Sequence, residues 1–146
     1  MKVEIKVSEE IREPYAIIYT DRITAEISQA ALLIENEFSK DIITVLDGER
    51  IKVLRPEEIY MTRIENEKTV VYARTEKYNS NKRLYEMESI LGSGFMRISK
   101  SVLVNLKYLE CVEPSLGGVM LLVLKNGCKD YISRKYLPAF KKYLGI

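Results

Sequence analysis

Between Phe95 and Leu106 the chain reads FMRISKSVLVNL. Arg97 and Lys100 alternate there with hydroxyls at Ser99 and Ser101, and the run closes on Val102-Leu103-Val104. Cations beside short hydroxyls offer donors to a phosphate oxygen or a base edge, and they carry no proton shuttle. Their chemistry is anion binding rather than bond cleavage. The apolar close has the length and β-branched content of a buried strand. The polar half then belongs at that strand's mouth, although an ordinary strand with a polar lead-in fits the same residues.

The rest of the inventory argues against catalysis. The chain has no histidine, which removes histidine triads, histidine metal ligation and histidine proton transfer together. No phosphate-binding glycine loop is written anywhere in it. The carboxylate pairs Glu57-Glu58 and Glu86/Glu88 stand in charge-mixed surroundings and read as solvated surface. Cys111 and Cys128 lack the companions of a metal site; a disulfide between them is open in principle, but in an unexported chain both are expected to be buried thiols. The expectation is a non-enzyme with no cofactor and no metal.

The elements that must position the central stretch follow from periodicity. Lys2–Val7 and Tyr15–Thr20 alternate like strands, and Ile23, Ile27, Ala31, Ile34 and Phe38 recur at helical spacing. This predicts a small β-β-α region over residues 1–45, ahead of a second domain over 46–146. Across the boundary Ile42–Leu46 and Ile51–Leu54 flank an Asp47-Gly48 hairpin signal. Ile59–Ile64 and Thr69–Arg74 form the next pair around Glu65–Lys68. Asn79–Asn81 reads as a polar turn. A short helix buries Leu84, Met87 and Leu91 and ends at Gly92 and Gly94. Leu109–Val112, Val119–Leu124 and Cys128–Ile132 are strands, the last two joined at Asn126-Gly127. Ser133 can cap a final helix that buries Leu137, Phe140 and Leu144, with Pro138 in its first turn. The pattern alone gives a strand-rich α+β fold.

Charge divides along the same line. Residues 1–45 hold five Lys/Arg against nine Asp/Glu, a net of −4, and the remainder carries a net of +6. The basic part suits a polyanion, because neutralised phosphates release their counterions. The chain has no apolar run of about 18 residues and no signal-like N-terminus, so a cytoplasmic protein is expected.

The ordered series FMRISKSVLVNL, KYLECVEP, GGVMLLVLKNG, YISRKY and FKKYLG resembles the LytTR-type DNA-binding domain of bacterial transcription regulators. The resemblance covers Arg55 to Ile146. It implies an elongated arrangement of small sheets whose connecting loops enter successive major grooves of double-stranded DNA. Three loops would carry the contacts. The first is Glu65–Thr69; some relatives place a histidine there, and Lys68 or Thr69 falls nearest in this chain. The second is Arg97–Ser101, in which Lys100 stands where the family often has asparagine or arginine. Arg97 and Ser101 would hold phosphates beside it, with Ser99 between them. The third is Ser133-Arg134-Lys135, where Arg134 matches the family's base-reading arginine. Lys82 and Arg83 are weaker phosphate candidates. Relatives usually occupy direct-repeat sites, so a homodimer on DNA is expected, with the N-terminal region as one source of protomer contact. The leading expectation is a sequence-specific transcriptional regulator. The alternative is a protein-interaction module whose acidic front receives a signal from a partner, such as a membrane protein of the same operon.

Overall fold

The computed structural model describes residues 1–12, 14–38 and 42–146. They fall into two compact units, Met1–Lys40 and Asp41–Ile146. The first contains one helix, α1 (Ala25–Phe38). It supplies the helix of the β-β-α expectation; Phe38, the last position of its apolar series, has a side chain outside the described residues. Lys2–Val7 and Tyr15–Thr20 alternate as strands do, yet neither pairs with another strand of the chain among the described residues. A strand needs a neighbour to take up its amides and carbonyls.

The second unit begins with β1 (Ile43–Asp47) and β2 (Arg50–Leu54), so β1 lies wholly outside the first unit. A 3-10 turn at Pro56–Glu58 leads to β3 (Met61–Glu65), β4 (Lys68–Tyr72) and β5 (Lys77–Ser80). Helix α2 (Leu84–Leu91) follows, then β6 (Phe95–Ser99) and β7 (Val102–Asn105). These seven strands form one antiparallel sheet in the order β2-β1-β5-β4-β3-β7-β6. A second sheet, β10-β9-β8, comprises β8 (Leu109–Pro114), β9 (Met120–Leu124) and β10 (Lys129–Ile132). Helix α3 (Leu137–Leu144) closes the chain, with Pro138 in its first turn as expected.

At β7 the large sheet is buried on both faces, which explains the continuous apolar run at Val102–Val104. Leu103 joins a core with Ile43, Val71, Leu84, Met87 and Leu91, so α2 covers that face. Val102 and Val104 point the other way, into a core with Ile98, Leu122, Leu124, Ile132 and Phe140. That second core is where the small sheet and α3 meet the large one. Each such side chain, fully buried, stabilises the fold by about 1.5–3 kcal/mol. Helix α2 stops at Gly92, whose φ of 74° suits a residue without a Cβ.

Four expectations need correction. The polar half of the central stretch is not a lead-in but a strand of its own, β6, folded onto β7 by a tight turn at Lys100-Ser101. Residues 77–80 form β5 where a polar turn was expected around Asn79. Tyr78 and Ser80 face inward from it, and their polar atoms disguise the alternation. Cys111 is exposed and only Cys128 is half-buried; both are free thiols. Ser133 closes the turn into α3 through its carbonyl, which accepts from the amides of Tyr136 and Leu137 at 3.0 Å each, and no side chain caps the helix.

Candidate nucleic-acid interface

The strand register brings three turns to one end of the second unit. β3 runs toward the Asn66-Glu67 turn, and Glu65 pairs with Lys68 across it. β7 is antiparallel to β3 with Val102 opposite Arg63, so the Lys100-Ser101 turn lies at that same end. The Ile64 amide donates to the Ser101 carbonyl at 2.9 Å and ties the two turns together. The third loop joins through the Ser133 amide, which donates to the Ile98 carbonyl at 2.9 Å, two residues before Lys100. Lys82 arrives there too, because its carbonyl accepts the Thr69 hydroxyl at 2.6 Å. The loops are therefore fixed to one another by main-chain hydrogen bonds, which vary little in length.

Their side chains divide into outward and inward sets. Lys68, Lys100, Arg134 and Lys135 are exposed, and among the described residues none of them is in an ion pair. The stem of Arg134 lies over Gly118, where an added Cβ would stand 3.5 Å from Arg134 Cδ. The Lys135 ammonium sits 5.6 Å from the Tyr136 ring centroid. Arg83 is exposed at the start of α2, and Lys82 is half-buried.

Thr69 is buried, with its hydroxyl taken by Lys82, so it does not face outward. Arg97 is drawn inward as well. Its Nε lies 3.1 Å from a Glu88 carboxylate oxygen, an ion pair without hydrogen-bond alignment. One terminal nitrogen of Arg97 donates to the Lys100 carbonyl at 3.4 Å. Arg97 thus braces the turn that presents Lys100. The Ser99 hydroxyl accepts from the Ser101 amide at 3.2 Å and shapes the same turn, leaving the Ser101 hydroxyl half-exposed.

A further residue escaped the sequence reading. Arg63 donates to Asp130 at 3.1 Å, to the Tyr72 hydroxyl at 2.8 Å and to Glu65 at 3.3 Å. Tyr72 in turn donates to the second Glu65 oxygen at 2.7 Å. Burial works against the Arg63 charge, but those three acceptors outweigh it and hold the guanidinium fully protonated. The Tyr72 hydroxyl, then Arg63, lowers the Glu65 carboxyl below its ordinary range. This cluster pins the strand before the first loop to β10, which leads into the third. Glu67, at the tip of the first loop, is an exposed carboxylate at φ 64° and would oppose a phosphate.

An antiparallel scaffold fixes three cation-bearing turns at one end, and that arrangement of charge suits a polyanion. Residues 49–145 match the family model described as the LytTr DNA-binding domain, and the chain belongs to that family. It is similar over its whole length to a Staphylococcus aureus protein described as an uncharacterized HTH-type transcriptional regulator, 27% identical over 148 residues and covering 99% of that relative. A counterpart from a bovine strain of that species, under the same description, is 29% identical over 151 residues, again covering 99% of the relative. The fold is similar to a LytTr DNA-binding domain from Bacillus cereus, with a TM-score of 0.68 and 24% identity, covering 73% of this chain and 99% of that one. The resemblance seen in the sequence and the strand-rich α+β class both stand.

Proposed function

We propose that this chain is a bacterial transcriptional regulator that binds double-stranded DNA sequence-specifically, with its three loops entering the major groove. The observation that carries the reading is the set of unpaired cations, Lys68, Lys100, Arg134 and Lys135, on turns locked together at one end. Arg134 is assigned a base edge, because a guanidinium can grip guanine with two parallel bonds. Lys100 supplies a point charge for a guanine edge or a phosphate, with less strict base choice. Lys68 and Lys135 hold backbone phosphates, with Lys82 and Arg83 flanking, and the Ser101 and Ser133 hydroxyls add neutral donors. Arg97, Ser99 and Thr69 serve by shaping the turns.

The relatives' description as HTH-type would put a recognition helix in the groove. Among the described residues of this chain no two α-helices are consecutive, since strands separate α1, α2 and α3. Loops are therefore the elements suited to enter the groove. Two copies on adjacent direct-repeat half-sites, in the bacterial cytoplasm, complete the reading.

The test is selection of fragments bound by the purified chain from the host genome, followed by fluorescence anisotropy on the enriched duplex. Specific binding at least about 1,000-fold tighter than to a scrambled duplex is expected at fixed salt. Equal affinity for both sequences overturns the reading.

A further inference from the structure

The first unit contains no buried residue at any described position from Met1 to Glu35. Val3, Ile5 and Val7 are 77–93% exposed, and Tyr15, Ile17 and Tyr19 are 63–89% exposed. A segment of this size with no fully buried side chain at those positions gains little to offset the entropy of ordering its backbone. Nor is the apolar surface scattered, since alternation gathers Val3, Ile5 and Val7 on one side of an extended stretch. The other side is polar: Lys2 and Glu4, two residues apart, form an ion pair at 3.2 Å, as neighbours on one face of a strand do. The backbone of Lys2–Val7 makes no main-chain hydrogen bond among the described residues, so it is an open edge.

We infer that the first unit docks on a second copy of itself, by antiparallel pairing of Lys2–Val7 with the same segment of the partner, centred on Ile5. The sequence is self-complementary in that register. Ile5 faces the partner's Ile5, Val3 faces the partner's Val7, Glu4 faces the partner's Lys6, and Lys6 faces the partner's Glu4. A slip of one residue would set the apolar row against the polar one. A slip of two in one direction sets Glu4 against the partner's Glu4 and Lys2 against the partner's Lys6. In the other direction Lys6 meets the partner's Lys6. Like charges directly opposite destabilise a ladder, so these registers are disfavoured. An unrelated partner would not require this symmetry.

The inference does not rest on DNA binding, and its test uses none. Sedimentation equilibrium on the full chain is expected to give a dimer. Glu4→Lys and Lys6→Glu should each weaken association roughly tenfold, because each creates two like-charge contacts per dimer. The double variant Glu4→Lys/Lys6→Glu restores the opposite-charge pairs and should return close to the original affinity. Ile5→Glu should leave a monomer. The thermal transition of the second unit, unchanged in all four variants, separates lost association from lost folding. A native chain that stays monomeric at about 100 μM, a dimer that survives Ile5→Glu, or a double variant no tighter than the singles overturns the inference. Capture of a different protein by a monomeric chain overturns it equally.

Discussion

Arg134 and Thr62 show how differently two single residues can matter. Among the described residues the Arg134 guanidinium makes no hydrogen bond or ion pair, and its stem lies over Gly118. Arg134→Ala should therefore weaken binding to the selected duplex by about 1–3 kcal/mol and relax base choice at one position, with the melting temperature unmoved. Arg134→Lys should recover little specificity, since an ammonium lacks the two-pronged geometry. Anisotropy against a panel of single-base variants of the site checks both. Thr62 is the converse. It is fully buried opposite Leu103, and its hydroxyl has no partner. An orphaned buried hydroxyl costs about 1–3 kcal/mol. Valine keeps the shape and removes the hydroxyl, so Thr62→Val should raise stability by about 1 kcal/mol in urea unfolding and leave DNA binding unchanged.

Among the elements, the paired turns depend on one half-buried cluster. Arg63 bridges β3 to β10 through Asp130, and Tyr72 and Glu65 complete the connection. Glu65 has its folded pKa below the unfolded value of about 4.3. Its contribution is therefore present in full above that unfolded value and is lost as pH falls through the lower folded one. The native chain should lose stability between pH 4 and more acidic values, where Glu65→Gln shows a flatter profile; urea midpoints measured across that range check it. None of this cluster was legible in the chain, because Arg63 and Asp130 are 67 positions apart and no periodicity links them. Elements with a clean apolar pattern were legible. Leu84, Met87 and Leu91 lie buried on one face of α2 as spacing implied, and the turn at Asn126-Gly127 joins β9 to β10. β5 was missed because its inward residues, Tyr78 and Ser80, carry polar atoms. The three loops could be placed from the sequence, but the direction of each side chain could not. Arg97 turned inward toward Glu88 because a carboxylate on α2 stands within reach, and that proximity exists only after folding.

For the chain taken whole, the division of charge sets how association with DNA must respond to salt. The first 45 positions carry a net of −4 and the remainder a net of +6, so the overall net of +2 understates the charge of the part that holds the loops. Each phosphate neutralised by a lysine or arginine releases condensed counterion, and log K falls with log salt by about 0.9 per contact. Four exposed cations, Lys68, Lys100, Arg134 and Lys135, are available at the loop end of one copy. A slope near −3 to −4 per copy is the expectation if all four neutralise phosphates, and a shallower one if some read bases. Lys100→Ala should shallow that slope by about one and weaken specific and scrambled duplexes alike where its contact is a phosphate. Where Lys100 reads a guanine instead, the slope changes less and the loss falls on the specific duplex. Anisotropy titrations between 50 and 200 mM salt, on both duplexes, separate the two roles. A slope unaffected by Lys100→Ala on either duplex, with affinity intact, would remove Lys100 from the interface. The second loop would then be left with Arg97 and Ser99 committed to the turn itself, and the half-exposed Ser101 hydroxyl, 3.5 Å from that of Ser99, as its remaining polar side chain.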